Sequence, residues 1–180
     1  MKDYLQPDFY HFSSDSIELA KLVIERHREE AIQGLCDAFA GCGVIAQEVG
    51  RTLSPSHIIY NELQEEFVPF IEKNHQEFLS HISYQIVCRP FTDLIIDKRV
   101  EILVANPPYF NAGEGRASQN KNRYYCRHFV QDNFDDFMDK LFELKKDISY
   151  IYFVTRVEIN REGVIKLKDL GKGNSIYQLA

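Results

Sequence analysis

A glycine turn set between an apolar strand and a helix does most to fix what this chain can fold into. Residues 35–39, Leu-Cys-Asp-Ala-Phe, read as a buried strand. They lead through Ala40-Gly41-Cys42-Gly43 into the helix-like run Val44-Ile45-Ala46-Gln47-Glu48-Val49. Strand, glycine-rich turn and helix in that order are the local context of a nucleotide-binding loop. Gly41 and Gly43 let backbone approach a ligand closely. Asp37, at the carboxyl end of the strand, is placed to bond the amine-bearing end of such a ligand.

The alternation that follows predicts an α/β domain with a mostly parallel sheet and helices on both faces. Further strands are expected at 58–62, 83–88, 100–105 and 149–154, and helices at 44–52, 64–74 and 129–146. The last helix rests on apolar spacing at Phe129, Val130, Phe134, Phe137, Met138, Leu141 and Leu144. Pro69 lies inside the second, which predicts a kink or a late start there. Asp15-Ser16-Ile17-Glu18 reads as a capping box opening an amino-terminal helix. Residues 164–170 and 175–179 flank Gly171-Lys172-Gly173 and read as a closing antiparallel hairpin. The expected organisation is one domain over 1–180, with a cap and helix over 1–33 and the core over 34–180.

Three features fall at strand ends on one rim of that sheet. The glycine loop follows the first strand, Glu62 ends the second, and Asn106 follows the fourth. Ligands of open α/β sheets bind outside the carboxyl ends of the strands. A carboxylate at Glu62 suits the two hydroxyls of a ribose, or else it serves the dipole of the next helix. The loop after the third strand, Arg89-Pro90-Phe91-Thr92-Asp93, is expected near the adenine end of a nucleotide. Phe91 either stacks on that ring or packs in the core.

Asn106-Pro107-Pro108-Tyr109 directly follows the apolar run 100–105. A strand ending in Asn-Pro-Pro-aromatic resembles the active-site loop of S-adenosylmethionine-dependent amino methyltransferases. The residue types suit the chemistry. An exocyclic amine is a poor nucleophile because its lone pair is delocalised into the ring. The Asn106 carbonyl and the Pro107 carbonyl can each accept one N–H and draw that pair out of conjugation. Consecutive prolines stiffen the loop, and Tyr109 offers a flat face to a flipped base.

Two segments narrow the resemblance. Residues 10–20 follow the pattern Tyr-x-Phe-x-x-Asp-Ser-x-x-Leu-Ala. After Phe110 comes Gly115-Arg116-x-Ser118-x-Asn120-x-x-Arg123-x-x-x-Arg127-His128. Both are similar to the bacterial tRNA1(Val) adenosine-37 N6-methyltransferases, over roughly residues 5–155. The resemblance implies a Rossmann-like class I methyltransferase fold, S-adenosylmethionine as cofactor, and methyl transfer to an adenine amine of a tRNA anticodon loop. It implies Asp37, Phe39, Gly41, Gly43, Glu62, Phe91 and Asn106 on the cofactor. Asn106, Pro107, Pro108 and Tyr109 would be catalytic, with Phe110, Arg116, Arg123 and Arg127 on the substrate. Phe39 stands where the family usually carries another glycine, which alters packing at the cofactor.

Charge bears on the partner. The whole chain is −6, yet residues 111–128 hold Arg116, Lys121, Arg123 and Arg127 against Glu114 alone, a local +3 that leaves −9 elsewhere. A basic segment beside the reactive loop suits RNA phosphates, with Tyr124 and Tyr125 available for stacking. The same Asn-Pro-Pro-Tyr loop serves a glutamine amide of a protein. Ribosomal RNA or DNA adenine, and a catalytically silent scaffold, are further alternatives. The composition, 44% apolar and 27% charged, is that of an ordinary globular protein. No apolar run is long enough to span a membrane, and the start lacks the plan of a signal peptide. The four cysteines form no Cys-x-x-Cys pair and the six histidines are scattered, so no metal is expected, and a cytoplasmic setting is. After residue 155 only about eight residues precede the hairpin, too few for the helix such folds usually carry. That predicts either a fold trimmed there or a sheet face left open, to be covered by a partner or a second copy.

Overall fold

The computed structural model describes residues 4–114 and 118–180. Its central strands are apolar on both faces, the requirement for a sheet covered on both sides. β1 (Gly34–Asp37) is buried at every position; β2 (His57–Asn61) pairs beside it and β3 (Ser83–Val87) forms the edge. β4 (Ile102–Ala105), buried throughout, lies on the other side of β1, followed by β5 (Tyr150–Thr155). These five run parallel. β6 (Val164–Gly171) and β7 (Asn174–Leu179) form the expected hairpin, with β7 antiparallel to both β5 and β6. The full order is β3-β2-β1-β4-β5-β7-β6, a Rossmann-like sheet with an antiparallel end.

α1 (Ser14–His27), α2 (Val44–Leu53) and α3 (Val68–Leu79) cover one face. Leu19, Val23, Ile45, Val49 and Ile71 pack there against Leu35, Ile58, Val104, Val154 and Ile176. A short helix, α4 (Lys121–Tyr125), lies in the segment after the reactive loop, and α5 (Phe134–Leu144) covers the second face. Phe137, Met138 and Leu141 pack there with Leu103, Ile151, Phe153, Tyr177 and Leu179. Burial of these apolar faces, at about 25 cal/mol per Å2, is the main force holding strands and helices in register.

Four expectations are corrected. The helix over 129–146 begins only at Phe134, because Asn133 caps it in a reciprocal capping box with Asp136. Phe129 instead donates its N–H to the Phe110 carbonyl at 2.8 Å. Its 4% exposure, within the same cluster as α5, is why it mimicked helical spacing. The helix over 64–74 is a 3-10 turn (Glu65–Phe67) followed by α3, which runs on to Leu79. Pro69 sits in the first turn of α3, the late start expected there, where the missing N–H costs nothing. α1 begins at Ser14, and its N-cap Ser13 makes no side-chain cap. Asp15 and Ser16 are thus not an N-terminal box; their side chains turn to the loop after β4.

The short connection after β5 does not leave a sheet face open. Ile151, Phe153, Val154, Ile176, Tyr177 and Leu179 are all 2% exposed or less. β7 lies between β5 and β6, so α1 and α5 already overlie it. Arg26 of α1 donates to Gln178, and Lys168 of β6 pairs with Glu18 at 2.7 Å. The reason for expecting a second copy there is removed.

Candidate active site

β1, β2 and β4 run parallel, so Asp37, Glu62 and Asn106 reach one rim, as their strand positions require. The glycine loop wraps tightly there. Gly41 and Gly43 have φ of 54° and 82°, a region L-residues rarely enter. A Cβ on Gly43 would lie 2.7 Å from Gln47 Nε2 and 3.0 Å from the Tyr60 ring.

The Glu62 carboxylate fastens this loop to the end of β2. Its Oε2 accepts the Gly41 N–H at 2.8 Å and its Oε1 accepts the Gln64 N–H at 2.9 Å. α3 starts six residues later, so Glu62 does not serve that helix's dipole. Asp37 is fully buried; Oδ2 accepts the Ala46 N–H at 3.2 Å, while Oδ1 has no partner among the described residues. Burial raises the Asp37 carboxyl to about 7, with the charge of Glu62 adding to the rise. Burial likewise raises Glu62 to about 7, against the opposing pull of its amide donors.

A narrow cavity of about 80 Å3 opens beside these carboxyls. Phe39, Gly41, Asn61, Glu62, Phe91 and Asn106 line it. Phe91 is both core and lining: its ring lies 5.3 Å from Phe39 and 5.4 Å from Phe137, with 2% exposure. Asn61 Oδ1 and Gln64 Oε1 are buried acceptors without partners among the described residues. Asp132 also lines the cavity and accepts the Phe91 N–H at 3.1 Å. Asp37 and Gly43 are not among the lining residues; Asp37 bonds the Ala46 N–H in the first turn of α2 and Gly43 is the N-cap of that helix.

On the far side of Asn106 lies a broader groove of about 710 Å3. Pro107, Tyr109, Phe110, Arg123, Arg127 and Arg156 line it, whereas Pro108 turns to the first cavity. No carboxylate is among the described lining residues. Arg123 donates weakly to the Phe9 carbonyl at 3.4 Å. Arg116 lies outside the described residues. Tyr124, expected to stack on a base, is stacked on His128 at 4.0 Å instead, and Tyr125 borders the first cavity, with the Lys121 ammonium 5.3 Å from its ring centroid.

The amino-terminal helix and the carboxyl-terminal hairpin both hold the reactive loop. Asn106 Nδ2 donates to Ser16 Oγ at 2.9 Å. The Tyr109 hydroxyl lies 2.9 Å from Asn106 Oδ1 and 3.0 Å from Asp15 Oδ2, two acceptors for one hydrogen. Burial, with Asp15 alongside, holds the Tyr109 phenol above its ordinary range. Asn174 donates to Asp15 at 2.6 Å and accepts from Arg156 Nε at 2.9 Å. The Arg156 guanidinium lies 4.7 Å over the Tyr109 ring and 5.7 Å over that of Phe110. Arg156, Asn174, Asn61 and Gln64 had no signal in the sequence. Asp15 and Ser16 had one, but as a cap.

The cavity and the groove share Asn106, Tyr10 and Cys126 as a common wall. Asn106 thus faces the glycine loop on one side and an arginine-lined opening on the other.

No protein-family model matches the chain, and no curated protein matches its sequence. Solved structures do. The catalytic domain of human METTL16, in complex with the MAT2A 3′UTR hairpin 1, superposes with a TM-score of 0.67 at 15% identity. That match covers 97% of this chain and 72% of METTL16's. PH1948 from Pyrococcus horikoshii, assigned as an RNA methyltransferase, gives 0.61 at 17% identity over 99% of this chain and 92% of its own. HI0767 from Haemophilus influenzae, assigned as a methylase, gives 0.60 at 15% over 97% and 91%. The fold is that of the class I methyltransferases. Identities this low establish the fold alone; the chemistry rests on the site.

Proposed function

We propose that this protein is an S-adenosylmethionine-dependent methyltransferase that modifies the N6 amine of an adenine in RNA, in the tRNA anticodon loop, within the cytoplasm. The observation that carries the reading is the position of Asn106, which forms a wall of both the glycine-loop cavity and the arginine-lined groove.

The donor set fits the cofactor. S-adenosylmethionine presents an ammonium, two ribose hydroxyls and an adenine amine, all hydrogen-bond donors. Asn61 Oδ1 and Gln64 Oε1 on the cavity lining, and Asp37 Oδ1 at the end of β1, are buried acceptors without partners among the described residues, and buried acceptors are seldom left unpaired. Asp37 would take the ammonium, Glu62 and Gln64 the ribose, and Phe39 and Phe91 the adenine faces. At about 80 Å3 the cavity is below the roughly 300 Å3 of common ligand sites. The lining side chains therefore part on binding. When bound, the cofactor supplies a methyl group activated on a sulfonium.

The chain's own contribution is positioning. Asn106 Oδ1 and the Pro107 carbonyl accept the two N–H bonds of the target amine. The Tyr109 hydroxyl, now near Asn106, has Asp15 as its second acceptor at 3.0 Å. It turns its hydrogen there and releases the Asn106 carbonyl to the substrate. Ser16 holds the amide nitrogen meanwhile, fixing which end of the amide faces the amine. Tyr109 and Phe110 pack on the base.

A protein glutamine would use the same loop, but the groove favours a polyanion. Arg123, Arg127 and Arg156 converge on it with no described carboxylate beside them. METTL16, similar in fold, was solved with an RNA hairpin. The test is methyl transfer from labelled S-adenosylmethionine to unmodified bulk tRNA, followed by nucleoside analysis. Labelled N6-methyladenosine is the expected product. Label on a glutamine-bearing protein and none on RNA would overturn the assignment.

A further inference from the structure

Arg156, the first residue after β5, belongs to no motif in the sequence. Its setting differs from that of the ion-paired arginines. Arg51, Arg99 and Arg161 each have a carboxylate oxygen within 3.4 Å. Arg156 has none. Asp15, the acid closest to it in the hydrogen-bond chain, is already engaged by Asn174 and Tyr109. Nε of Arg156 is tied to Asn174 Oδ1, and the planar group rests over Tyr109 and Phe110. Among the described residues its two terminal NH2 groups have no protein partner. The side chain is therefore tied at its stem and lies over two rings, in the lining of the groove that Arg123 and Arg127 also line.

An exposed guanidinium tied at Nε, with no carboxylate on it among the described residues, matches a planar fork open to an oxyanion. We propose that Arg156, together with Arg127, forms the subsite for a backbone phosphate adjoining the target nucleotide. Arg156 lines the same groove as Tyr109 and Phe110, so a phosphate bound there belongs to a nucleotide beside the reactive loop. Asn174 couples this subsite to the reactive loop through Asp15 and Tyr109. The proposal rests on the RNA reading above and adds the residue that reads the backbone.

The experiment compares Arg156→Ala, Arg156→Lys and, as a control, Arg161→Ala, whose guanidinium pairs with Asp139 at 3.4 Å outside the groove. Steady-state methylation of unmodified bulk tRNA is measured at several salt concentrations, with S-adenosylmethionine affinity determined separately. For Arg156→Ala, KM should rise about tenfold with kcat within about threefold, and the salt dependence of kcat/KM should flatten by roughly one phosphate contact. Cofactor affinity should not move. Arg156→Lys should restore the salt slope but only part of the KM, since an ammonium keeps charge and loses the fork. Unchanged KM and slope in Arg156→Ala would remove the subsite while leaving RNA methylation standing. A fall in kcat alone would also overturn it, assigning Arg156 to the alignment of Tyr109. If the unaltered protein binds cofactor and methylates no RNA, the RNA reading falls and takes the subsite with it.

Discussion

Asn106 is held from two directions, by Ser16 at its amide nitrogen and by Tyr109 at its carbonyl. A side chain that must present one carbonyl to an incoming amine gains rate from being fixed beforehand. Ser16→Ala removes one of these holds without touching the cavity. It should lower kcat about tenfold, with cofactor affinity unchanged and the fold retained, as read by single-turnover transfer and a thermal melt. A second residue-scale consequence concerns protons. Asp37 and Glu62 are both raised to about 7 in the native protein. The folded state therefore keeps protons that the unfolded chain has released, and stability falls as pH rises from about 4 to about 7. Ligand donors favour the ionised carboxylates, so cofactor affinity should climb over the upper part of the same window. Thermal melts at pH 5 and pH 8, with and without S-adenosylmethionine, should show the free protein less stable at the higher pH and the ligand-induced shift larger there. A shift that is the same at both values would contradict the roles given to these acids. Glu62, Asn106 and the glycines were legible in the sequence because each sits within a few residues of its own strand end. The supports were not. Ser16 lies 90 residues from Asn106, and Asn174 lies 159 from Asp15. Only the folded sheet brings them together.

Elements whose signals are local were read correctly, and those with competing signals were misread. β1, the glycine turn and α2 form one continuous unit in which each part predicts the next. Gly43 is its tightest point, with φ of 82° and no room for a Cβ beside Gln47 and Tyr60. Gly43→Ala should cost about 1–3 kcal/mol and weaken cofactor binding, measured by denaturant unfolding and by titration. Equal stability would mean that the loop relaxes freely. The stretch after Tyr125 was harder, since Phe129 is as buried as a core helix residue yet belongs to a strand-like return. That return, Arg127 to Phe129, pairs its backbone with Phe110 and lays the insert against the reactive loop. Periodicity counts burial, and burial does not distinguish the two conformations. The missing helix after β5 misled in the opposite sense. A short connection suffices because β7 inserts between β5 and β6 and shares the cover of helices already present.

Across the whole molecule, charge and shape are unevenly distributed. The chain carries −6 overall, while the groove on the acceptor side of Asn106 is lined by arginines and free of described carboxylates. A net negative body with a small basic opening suits a partner recognised locally and with strong dependence on salt. The order of strands places the glycine-loop cavity and the arginine-lined groove on one rim, with Asn106 as the partition. That partition is the central claim. The most direct test is single-turnover methyl transfer by Asn106→Ala, with the dissociation constant for S-adenosylmethionine measured on the same sample. Transfer should fall by at least about a thousandfold while the dissociation constant stays within about threefold. Transfer at near the original rate, or loss of cofactor binding in its place, would contradict the account.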